Sequence, residues 1–379
     1  MPTPESHPNW GAPPWQIDFT PSAPEKFLER ADIAVIGAGF TGLAAAAWLR
    51  HLAPDRSVVV LEAGSIGAGA SGRTGGMALA ETAAGDLPGL GDVLGGFQEI
   101  LKILAVGCDL DLRGAWEIGR TNGREDSPIV WNDSGTLRVM SEVPGGTLDP
   151  GKLVAGLARA AESSGAIILE NHPVESVAWG EPPVLTLGGR GAGKKLRAGK
   201  ILFATNALSL DLAGEEEGMH PRLTLAALSK PVSAEILARI GLAPRNPFYT
   251  VDFPYLWGRV RRDNSIVWGA GLVSSPDERH LEGVDISAEE PSRIFASLEA
   301  RVRGLHPALA AAEFTHRWGG PILFRDSWAP VFGWHPASRD GIVLGAFAGH
   351  GVALSSYLGA WAAEALLARR DLPSWGKLG

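Results

Sequence analysis

Apolar positions in the first part of the chain form two short blocks, separated by a glycine turn and an alanine-rich segment. Residues 33–36 (IAVI) and 58–61 (VVVL) are apolar runs of strand length, and the segment that follows residue 40 has the composition of a helix. Short apolar runs bounded by turns are typical of strands buried in parallel sheets. The pattern therefore predicts a βαβ unit.

The rest of the pattern predicts further helices and strands. Helices are predicted at residues 93–118, at 152–164 with Asp149 as N-cap, and at 289–305. From about residue 223 the chain becomes richer in strand signals, which indicates a β-rich second domain. Strands are predicted at residues 166–170, 173–177, 200–203, 225–233, 248–251, 255–261, 265–272 and 341–345.

The turn of the βαβ unit carries glycines at the spacing of a dinucleotide-binding fingerprint. Gly37 permits a tight turn, Gly39 lets backbone approach a pyrophosphate, and Gly42 lets the helix pack close to the strand. Glu62 lies about 20 residues past Gly42, where an acid binds a ribose 2′-OH and disfavours the 2′-phosphate of NADP. An ordinary βαβ crossover is the alternative, and NAD and FAD share the fingerprint. The candidate nucleotide-binding residues here are Gly37, Gly39, Phe40, Thr41, Gly42, Glu62 and Ala63.

Composition and charge exclude several classes of protein. The chain has 379 residues, of which 45% are hydrophobic and 20% charged, as is typical of a globular protein with two domains. A net charge of −8 without a basic tract argues against nucleic acid as a partner. The apolar stretches are too short or too broken for a membrane span, and the N-terminal residues lack the pattern of a signal peptide, so a cytoplasmic location is expected.

The only cysteine of the chain is Cys108. One cysteine excludes a disulfide within the chain and a redox CxxC pair. The apolar residues around Cys108 predict a helical position and a buried structural thiol.

A long loop of small residues follows Glu62 and reaches Met77. NAD-binding folds usually continue into another helix here, whereas an extended loop suits a longer cofactor that runs on past the pyrophosphate. A flexible linker is the alternative, but Arg73 and Met77 among the glycines argue against it. The candidate cofactor-binding residues in this loop are Ser71, Gly72, Arg73, Thr74, Gly75, Gly76 and Met77.

The loop sequence GAGASGRTGGM resembles the GASGRNGG segment of the FAD-dependent amino acid and amine oxidases of the D-amino acid oxidase superfamily. That superfamily includes glycine oxidase and sarcosine oxidase. The motif is most similar to that of gamma-glutamylputrescine oxidoreductase-like proteins, with Thr74 where these usually have Asn.

Two later segments also resemble this superfamily, and together the motifs span residues 31 to 367. KILFATNA at residues 200–207 resembles a strand that passes under the cofactor, and the sequence around Gly349–Gly351 resembles a GHG element before the last helix. In the family, backbone near the position of Val174 contacts the adenine. The resemblance implies that N–H groups at the start of the last helix stabilise negative charge on the reduced flavin; a plain helix-capping turn is the alternative. The further cofactor-binding candidates are Val174, Ala204, Thr205, Asn206, Gly319, Gly349, His350, Gly351, Val352 and Ala353.

The expected fold is α/β, with a Rossmann-like FAD-binding domain and a β-rich (α+β) substrate domain. The predicted FAD-binding domain is discontinuous and comprises residues 28–80, 146–222 and 333–370. The substrate domain comprises residues 81–145 and 223–332. Residues 1–27 form an N-terminal arm, which is expected to pack Trp10 and Trp15 on the surface of the body.

The resemblance implies the oxidation of an amine or amino acid by hydride transfer from the substrate carbon to flavin N5. The imine product is then hydrolysed, and oxygen or another acceptor reoxidises the flavin. A flavin monooxygenase, an NAD-linked flavin reductase and a non-catalytic flavoprotein subunit are the alternatives. The sequence leaves the substrate, the acceptor and the oligomeric state open.

Two departures from sarcosine oxidase refine this expectation. That enzyme has a flavin-linking cysteine near the position of Gly319 or Gly320. This chain has no cysteine there, so non-covalent FAD is expected. Sarcosine oxidase also has a carboxylate-binding lysine two residues past the GHG element, where this chain has Ala353. A simple N-methyl amino acid is therefore disfavoured as substrate.

The candidate substrate-site residues come from the last helix start and the second domain. His350 is expected to face the flavin, with a structural role as the alternative. Tyr255, Trp257 and Arg259 alternate along a predicted strand and so share a face, which would give an aromatic wall with a carboxylate anchor; an ordinary sheet face is the alternative. Trp318 resembles a family position beside the flavin. Tyr249 is a further pocket candidate, and Asp326 is expected to be structural.

Overall fold

A computed structural model of the chain describes residues 9–214, 217–275 and 279–376. It contains two large sheets and a small two-stranded sheet. The strands are β1 (Arg30–Ile36), β2 (Val58–Leu61), β3 (Met77–Leu79), β4 (Ala115–Gly119), β5 (Trp131–Asn132), β6 (Thr136–Val143), β7 (Gly145–Thr147), β8 (Ile167–Leu169), β9 (Val174–Ala178), β10 (Val184–Leu187), β11 (Lys195–Phe203), β12 (Met219–Ser229), β13 (Phe248–Thr250), β14 (Trp257–Val260), β15 (Ile266–Val273), β16 (Phe314–Arg325), β17 (Val331–His335) and β18 (Ser338–Gly345).

The helices are α1 (Phe40–Leu52), α2 (Val93–Ile103), α3 (Pro150–Ser163), α4 (Leu210–Ala213), α5 (Ala234–Arg239), α6 (Glu289–Leu305) and α7 (Gly351–Leu366). Helices α1, α2, α3 and α7 share one apolar core with one face of the first sheet, and α6 packs against the second sheet. Several helices begin with the residues that the sequence indicates: Asp149 caps the helix at Pro150 by accepting from the N–H of Lys152 at 3.0 Å.

The first sheet has the order β17-β18-β11-β1-β2-β8, with β10 and β9 added beside β11. Strands β18, β11, β1, β2 and β8 pair with one another in parallel, as expected for strands joined by crossovers, whereas β17 and β10 are added antiparallel to β18 and β11. The predicted βαβ unit is therefore present as β1, α1 and β2. The α/β fold class predicted from the sequence is confirmed.

Helix α1 is buried from Phe40 to Leu49, because its small side chains allow other helices to approach closely. A Cβ added at Gly359 of α7 would lie 2.5 Å from the carbonyl oxygen of Thr41. Alanine and glycine thus place the middle of α7 next to the start of α1.

The second sheet is mostly antiparallel, with the order β16-β12-β15-β14-β13-β4-β6-β5. Helix α6, predicted at its observed bounds, buries an apolar face against this sheet. That face comprises Phe295, Leu298, Val302 and Leu305.

Two predicted elements are wrong in their bounds. The helix predicted at residues 93–118 ends at Ile103, because Ala105 and Asp109 adopt the left-handed conformation with φ of 53° and 55°. Cys108 consequently lies in a loop rather than a helix, although it is buried as expected. The strand predicted at 225–233 is shifted to Met219–Ser229, since Pro231 cannot donate to the ladder and the chain then enters α5.

The N-terminal arm packs its two tryptophans against the body, in line with expectation. Trp10 and Trp15 are 3% and 7% exposed. The indole N–H of Trp15 donates to the carbonyl of Gly72 at 2.7 Å, and its ring meets that of Trp318 edge to face at 5.5 Å. Burial of a tryptophan is favourable where its N–H finds an acceptor, and the glycine loop supplies one.

The predicted domain division stays a prediction. Helix α2, assigned from sequence to the substrate domain, packs on α7 beside the first sheet, where Gly96 contacts Tyr357. In the described part of the chain, no helix has both the length and the apolar character needed to cross a membrane.

Candidate active site

A cavity of about 990 Å³ lies where the first sheet, the glycine loop and the second sheet meet. Its volume is at the upper end of the range for cavities that hold small molecules and cofactors. The walls are formed by the turn after β1, the residues after β2 and β11, strands β12 to β16, and the start of α7.

The nucleotide-binding turn forms one end of this cavity. Gly37 has a φ of +102°, and its N–H donates to the carbonyl of Leu61 at 2.8 Å, which ties the turn to the end of β2. Gly42 lies behind the cavity wall. A Cβ there would lie 1.9 Å from the carbonyl oxygen of Gly37, so Gly42 serves the close packing of α1 on β1.

Glu62 lines the same end of the cavity and is held by backbone. Its carboxylate accepts from the N–H of Ala38 at 2.7 Å and from that of Gly64 at 2.9 Å. Burial raises the pKa of Glu62, against the two backbone donors that favour its ionised form. A carboxylate has about four acceptor positions, so two remain for hydroxyl groups of a ligand.

The glycine loop is held in place from outside the cavity. Ser71 accepts from the N–H of Phe40 at 2.8 Å. The Arg73 guanidinium donates to the carbonyls of Trp10, Gly11 and Gly319 at 3.2, 2.7 and 3.2 Å. Burial lowers the pKa of Arg73, and its donors serve backbone carbonyls. Arg73 therefore connects the loop to the N-terminal arm and to β16.

Arg259 does not occupy the position predicted for a carboxylate anchor. It is absent from the cavity wall, is 7% exposed, and donates from Nε to the carbonyl of Gly75. Its guanidinium lies 5.9 Å from the ring of Trp15, and burial lowers its pKa to about 10. Successive side chains of β14 point to opposite faces of the sheet, but the side chain of Arg259 passes under the glycine loop. We correct the prediction: Arg259 supports the loop and does not face a substrate.

Trp257 and Trp318 do line the cavity. A Cβ at Gly75 or Gly269 would lie 2.2 or 2.0 Å from the Trp257 ring, so these two glycines make room for the indole. Trp318 is fully buried and donates from Nε1 to the carbonyl of Arg73 at 2.9 Å. Both indoles therefore hold the glycine loop in position and also form part of the cavity wall.

The start of α7 forms the opposite part of the cavity. His350, Gly351 and Val352 line it, and the helix has 16 residues, so its N-terminal N–H groups and positive dipole end face the cavity. Burial lowers the pKa of His350, opposed by the Ala348 carbonyl and by Glu81, and His350 is therefore neutral at pH 7. Ser355, one turn further along α7, also lines the cavity. It is 4% exposed, and its Oγ has no hydrogen-bond partner in the described structure.

Two acidic side chains that the sequence analysis missed lie in the wall. The phenol oxygen of Tyr249 lies 2.6 Å from Oε1 of Glu81 and 3.1 Å from Oε1 of Glu117. The hydroxyl of Ser141 donates to the other oxygen of Glu117. Burial, followed by the two carboxylates, raises the pKa of Tyr249 above its usual range, so the phenol stays protonated and donates. We call Glu81, Glu117 and Tyr249 the acid cluster.

The mouth of the cavity is apolar and open. Phe253 and Tyr255 stack at 4.3 Å between ring centroids and are 75% and 46% exposed. Trp328 and Leu272 are exposed beside the same opening. Tyr255, predicted as part of an aromatic wall, thus lies at the rim.

The structure brings most of the predicted site residues to this one cavity, where their assigned roles remain predictions. Several predicted residues lie behind the wall and act through packing: a Cβ at Gly72 or Gly76 would meet backbone oxygen at 2.4 or 2.5 Å, and one at Gly319 would meet Leu223. The predicted residues that line the cavity are Gly37, Gly39, Phe40, Thr41, Glu62, Ala63, Ser71, Arg73, Thr74, Gly75, Met77, Val174, Ala204, Thr205, Asn206, Tyr255, Trp257, Trp318, Gly349, His350, Gly351 and Val352. Those that do not are Gly42, Gly72, Gly76, Arg259, Gly319 and Ala353.

The profile of the DAO family, described as FAD dependent oxidoreductase, matches residues 32–365. The chain belongs to this family. Gamma-glutamylputrescine oxidoreductase of Escherichia coli (strain K12) is 26% identical to it, over 88% of this chain and 83% of the relative. A probable oxidoreductase, OrdL, of Haemophilus influenzae is also 26% identical, over 90% of this chain and 84% of the relative.

Solved structures share the fold. Glycine oxidase from Geobacillus kaustophilus superimposes with a TM-score of 0.71 at 19% identity and covers 93% of this chain and 99% of that one. L-proline dehydrogenase from P. horikoshii gives a TM-score of 0.70 at 18% identity, over 91% and 95%. Among the described residues, no group of three or more His, Cys, Asp or Glu side chains is placed to hold a metal ion.

The family is FAD-dependent, and the cavity fits that cofactor. The N-terminus of α1 and the turn at Gly37–Gly39 offer backbone to a pyrophosphate, and Glu62 has acceptor positions left for ribose hydroxyls. The buried Oγ of Ser355, which lacks a partner, also indicates that a ligand completes this cavity.

Proposed function

We propose that this chain oxidises an amine or an amino acid at the carbon beside the nitrogen, and releases an imine that water hydrolyses. The observation that carries the proposal is the single cavity that joins the nucleotide-binding turn to the start of α7 and to the wall of the second sheet. A dinucleotide bound at Glu62 and extending past the glycine loop has room for a second molecule in the same enclosed space.

FAD, when bound, supplies the acceptor for the hydride that leaves the substrate carbon. The chain itself supplies position, charge and exclusion of water. Trp257, Trp318 and the aliphatic residues of β16 provide an apolar wall, which favours the neutral amine that hydride loss requires. The N–H groups of Gly351 and Val352 lie where developing negative charge would be stabilised.

His350 contributes as a neutral group. Because burial lowers its pKa, it adds no positive charge next to the substrate at pH 7. With FAD bound, oxygen or another acceptor would take up the two electrons. Non-covalent binding is supported by the place of Cys108, which is buried outside the cavity and whose pKa burial raises to about 12.

The purified protein tests this proposal through its visible spectrum. Bands at about 375 and 450 nm, where oxidised flavins absorb, should be present and should bleach when the right amine or amino acid is added without oxygen. Acid precipitation should release the flavin into solution. A flavin that no amine or amino acid bleaches would overturn the proposed reaction, and a flavin that stays with the precipitate would overturn non-covalent binding.

A further inference from the structure

We propose that the acid cluster of Glu81, Glu117 and Tyr249 binds a second, protonated amino group of the substrate. The substrate class is then a diamine or longer polyamine, in which one nitrogen is oxidised and another is held as an ammonium ion. The inference rests on the proposed function and specifies its substrate.

The carboxylates of Glu81 and Glu117 accept fewer hydrogen bonds than their oxygens can accept. One phenol proton is shared between Oε1 of Glu81 at 2.6 Å and Oε1 of Glu117 at 3.1 Å. Ser141 supplies one further donor, to Glu117. Within the described residues, neither carboxylate forms an ion pair with Lys or Arg. Two like charges beside one phenol repel each other, and a cation between them would remove the repulsion. An ammonium group has three donors and no acceptor, which matches the acceptor positions that remain.

The charge of the whole cavity wall favours the same ligand. The wall contains the carboxylates Glu62, Glu81 and Glu117, and Arg73 is the one Lys or Arg side chain in its described lining. Arg73 donates from Nε to the carbonyl of Ala68 and from Nη1 to the carbonyls of Trp10, Gly11 and Gly319. Arg259 lies behind the loop. With three carboxylates and one guanidinium that is tied to backbone, the described wall is better suited to a cationic substrate than to the carboxylate of a simple α-amino acid.

Ser355, already noted in the fit of the cofactor, is a further polar group that a ligand of this cavity can satisfy. Its Oγ is buried and has no partner in the described structure, although it lines the same cavity. A buried hydroxyl without a hydrogen bond costs about 1–3 kcal/mol, and a bound ligand with polar groups removes that cost. Helix α7, which carries Ser355, packs against β3, and Glu81 follows β3 by two residues. The acid cluster therefore lies on the α7 side of the cavity.

The test compares three linear compounds of equal chain length on the holoenzyme: an α,ω-diamine, the corresponding monoamine and the corresponding ω-amino acid. Binding is measured by titration calorimetry without oxygen, and flavin bleaching is measured in parallel. The diamine should bind tightest, and E81Q and E117Q should each weaken its binding roughly 30-fold while changing monoamine binding less than about 3-fold.

E99Q is the matched control, because Glu99 lies on the exposed face of α2, paired only with Lys102, and loses the same charge. It should leave diamine binding unchanged. Flavin content and Tm of each variant show whether it folds.

Equal binding of diamine and monoamine by the unmodified protein would overturn the inference, as would equal weakening of both by E81Q and E117Q. These outcomes differ from failure of the proposed function. If the diamine binds through the acid cluster but no amine bleaches the flavin, the inference stands as a binding site and the proposed oxidation is wrong.

Discussion

The two ends of the cavity are built in different ways. The nucleotide end is made largely of backbone from contiguous segments, the turn at Gly37–Gly42 and the loop at residues 71–77. The acid cluster is made of side chains from three places, with Glu81 after β3, Glu117 on β4 and Tyr249 on β13. Backbone sites depend on glycine spacing and tolerate little change in conformation. Side-chain sites depend on the fold to bring separate residues together, so their residues can change while the fold persists.

Gly42→Ala should have the largest effect at the nucleotide end. Its Cβ would lie 1.9 Å from the carbonyl oxygen of Gly37, so α1 must move away from β1. We expect a loss of about 3 kcal/mol in the free energy of unfolding, together with loss of FAD, measured by denaturant unfolding and by flavin content. Gly304→Ala is the control, since Gly304 lies in α6 with no atom near the added Cβ; it should not destabilise the protein. A stable, flavin-bound Gly42→Ala would contradict this account of the turn.

Glu62→Gln should weaken FAD binding by about 2 kcal/mol, or roughly 30-fold. The amide has one acceptor oxygen in place of two, yet faces two backbone donors, Ala38 and Gly64. Equilibrium dialysis of the flavin measures the effect. An unchanged FAD affinity would mean that Glu62 fixes the turn alone and does not bind the cofactor.

Tyr249→Phe should affect the acid cluster and leave the nucleotide end of the cavity unchanged. It removes the donor that lies between Glu81 and Glu117, so the substrate-free protein should lose about 1–2 kcal/mol of stability and keep its flavin. Adding a diamine should raise the Tm of this variant more than that of the unmodified protein, because the cation replaces the lost donor. Loss of flavin from Tyr249→Phe would show that the two ends are not separate.

Trp15→Phe tests how far the N-terminal arm supports the cofactor loop. The substitution keeps an aromatic ring against Trp318 and removes the donor to the carbonyl of Gly72. We expect about 1 kcal/mol weaker FAD binding, or roughly 5-fold, from flavin fluorescence on dilution. Unchanged FAD affinity would show that the loop holds its conformation without the arm.

The smallest effect should be the pH dependence of stability from His350. Burial lowers its pKa in the folded protein, so the unfolded chain binds the proton more readily. Stability from this group is therefore complete at neutral pH and is lost as the pH falls below about 6.5, the usual value for histidine. His350→Asn should show a smaller decrease in Tm between pH 7 and pH 5 than the unmodified protein does. An identical decrease would assign the acid sensitivity to other groups.

The sequence predicts the features that depend on contiguous segments, as the nucleotide end does, better than those that depend on distant segments, as the acid cluster does. The strand, turn and helix of the βαβ unit and helix α6 follow from local periodicity, and the structure has both. The predicted C-terminal end of α2 is wrong. The backbone is left-handed at Ala105 and Asp109, and because neither residue is a glycine, the sequence does not indicate that conformation. The packing of Trp10 and Trp15 on the body was expected, but their hydrogen-bond acceptors were not, because these lie on distant segments.

The acid cluster could not be found from sequence. Glu81 and Glu117 belong to no motif spacing, and only the pairing of β13 with β4 places Tyr249 beside Glu117. Arg259 was misassigned because alternation on a strand tells which face a residue occupies but not what covers that face. Here the glycine loop covers it.

The N-terminal arm has a consequence for the order in which the chain folds. The indole N–H of Trp10 donates to the carbonyl of Leu281, which is synthesised 271 residues later. At a usual rate of synthesis, that separation corresponds to roughly 15 to 50 s. Trp10 and Trp15 are thus exposed apolar surface on the nascent chain for that interval, a feature that chaperones bind. The cofactor loop reaches its final conformation only after Trp318 has been made, because the Trp318 indole donates to the carbonyl of Arg73.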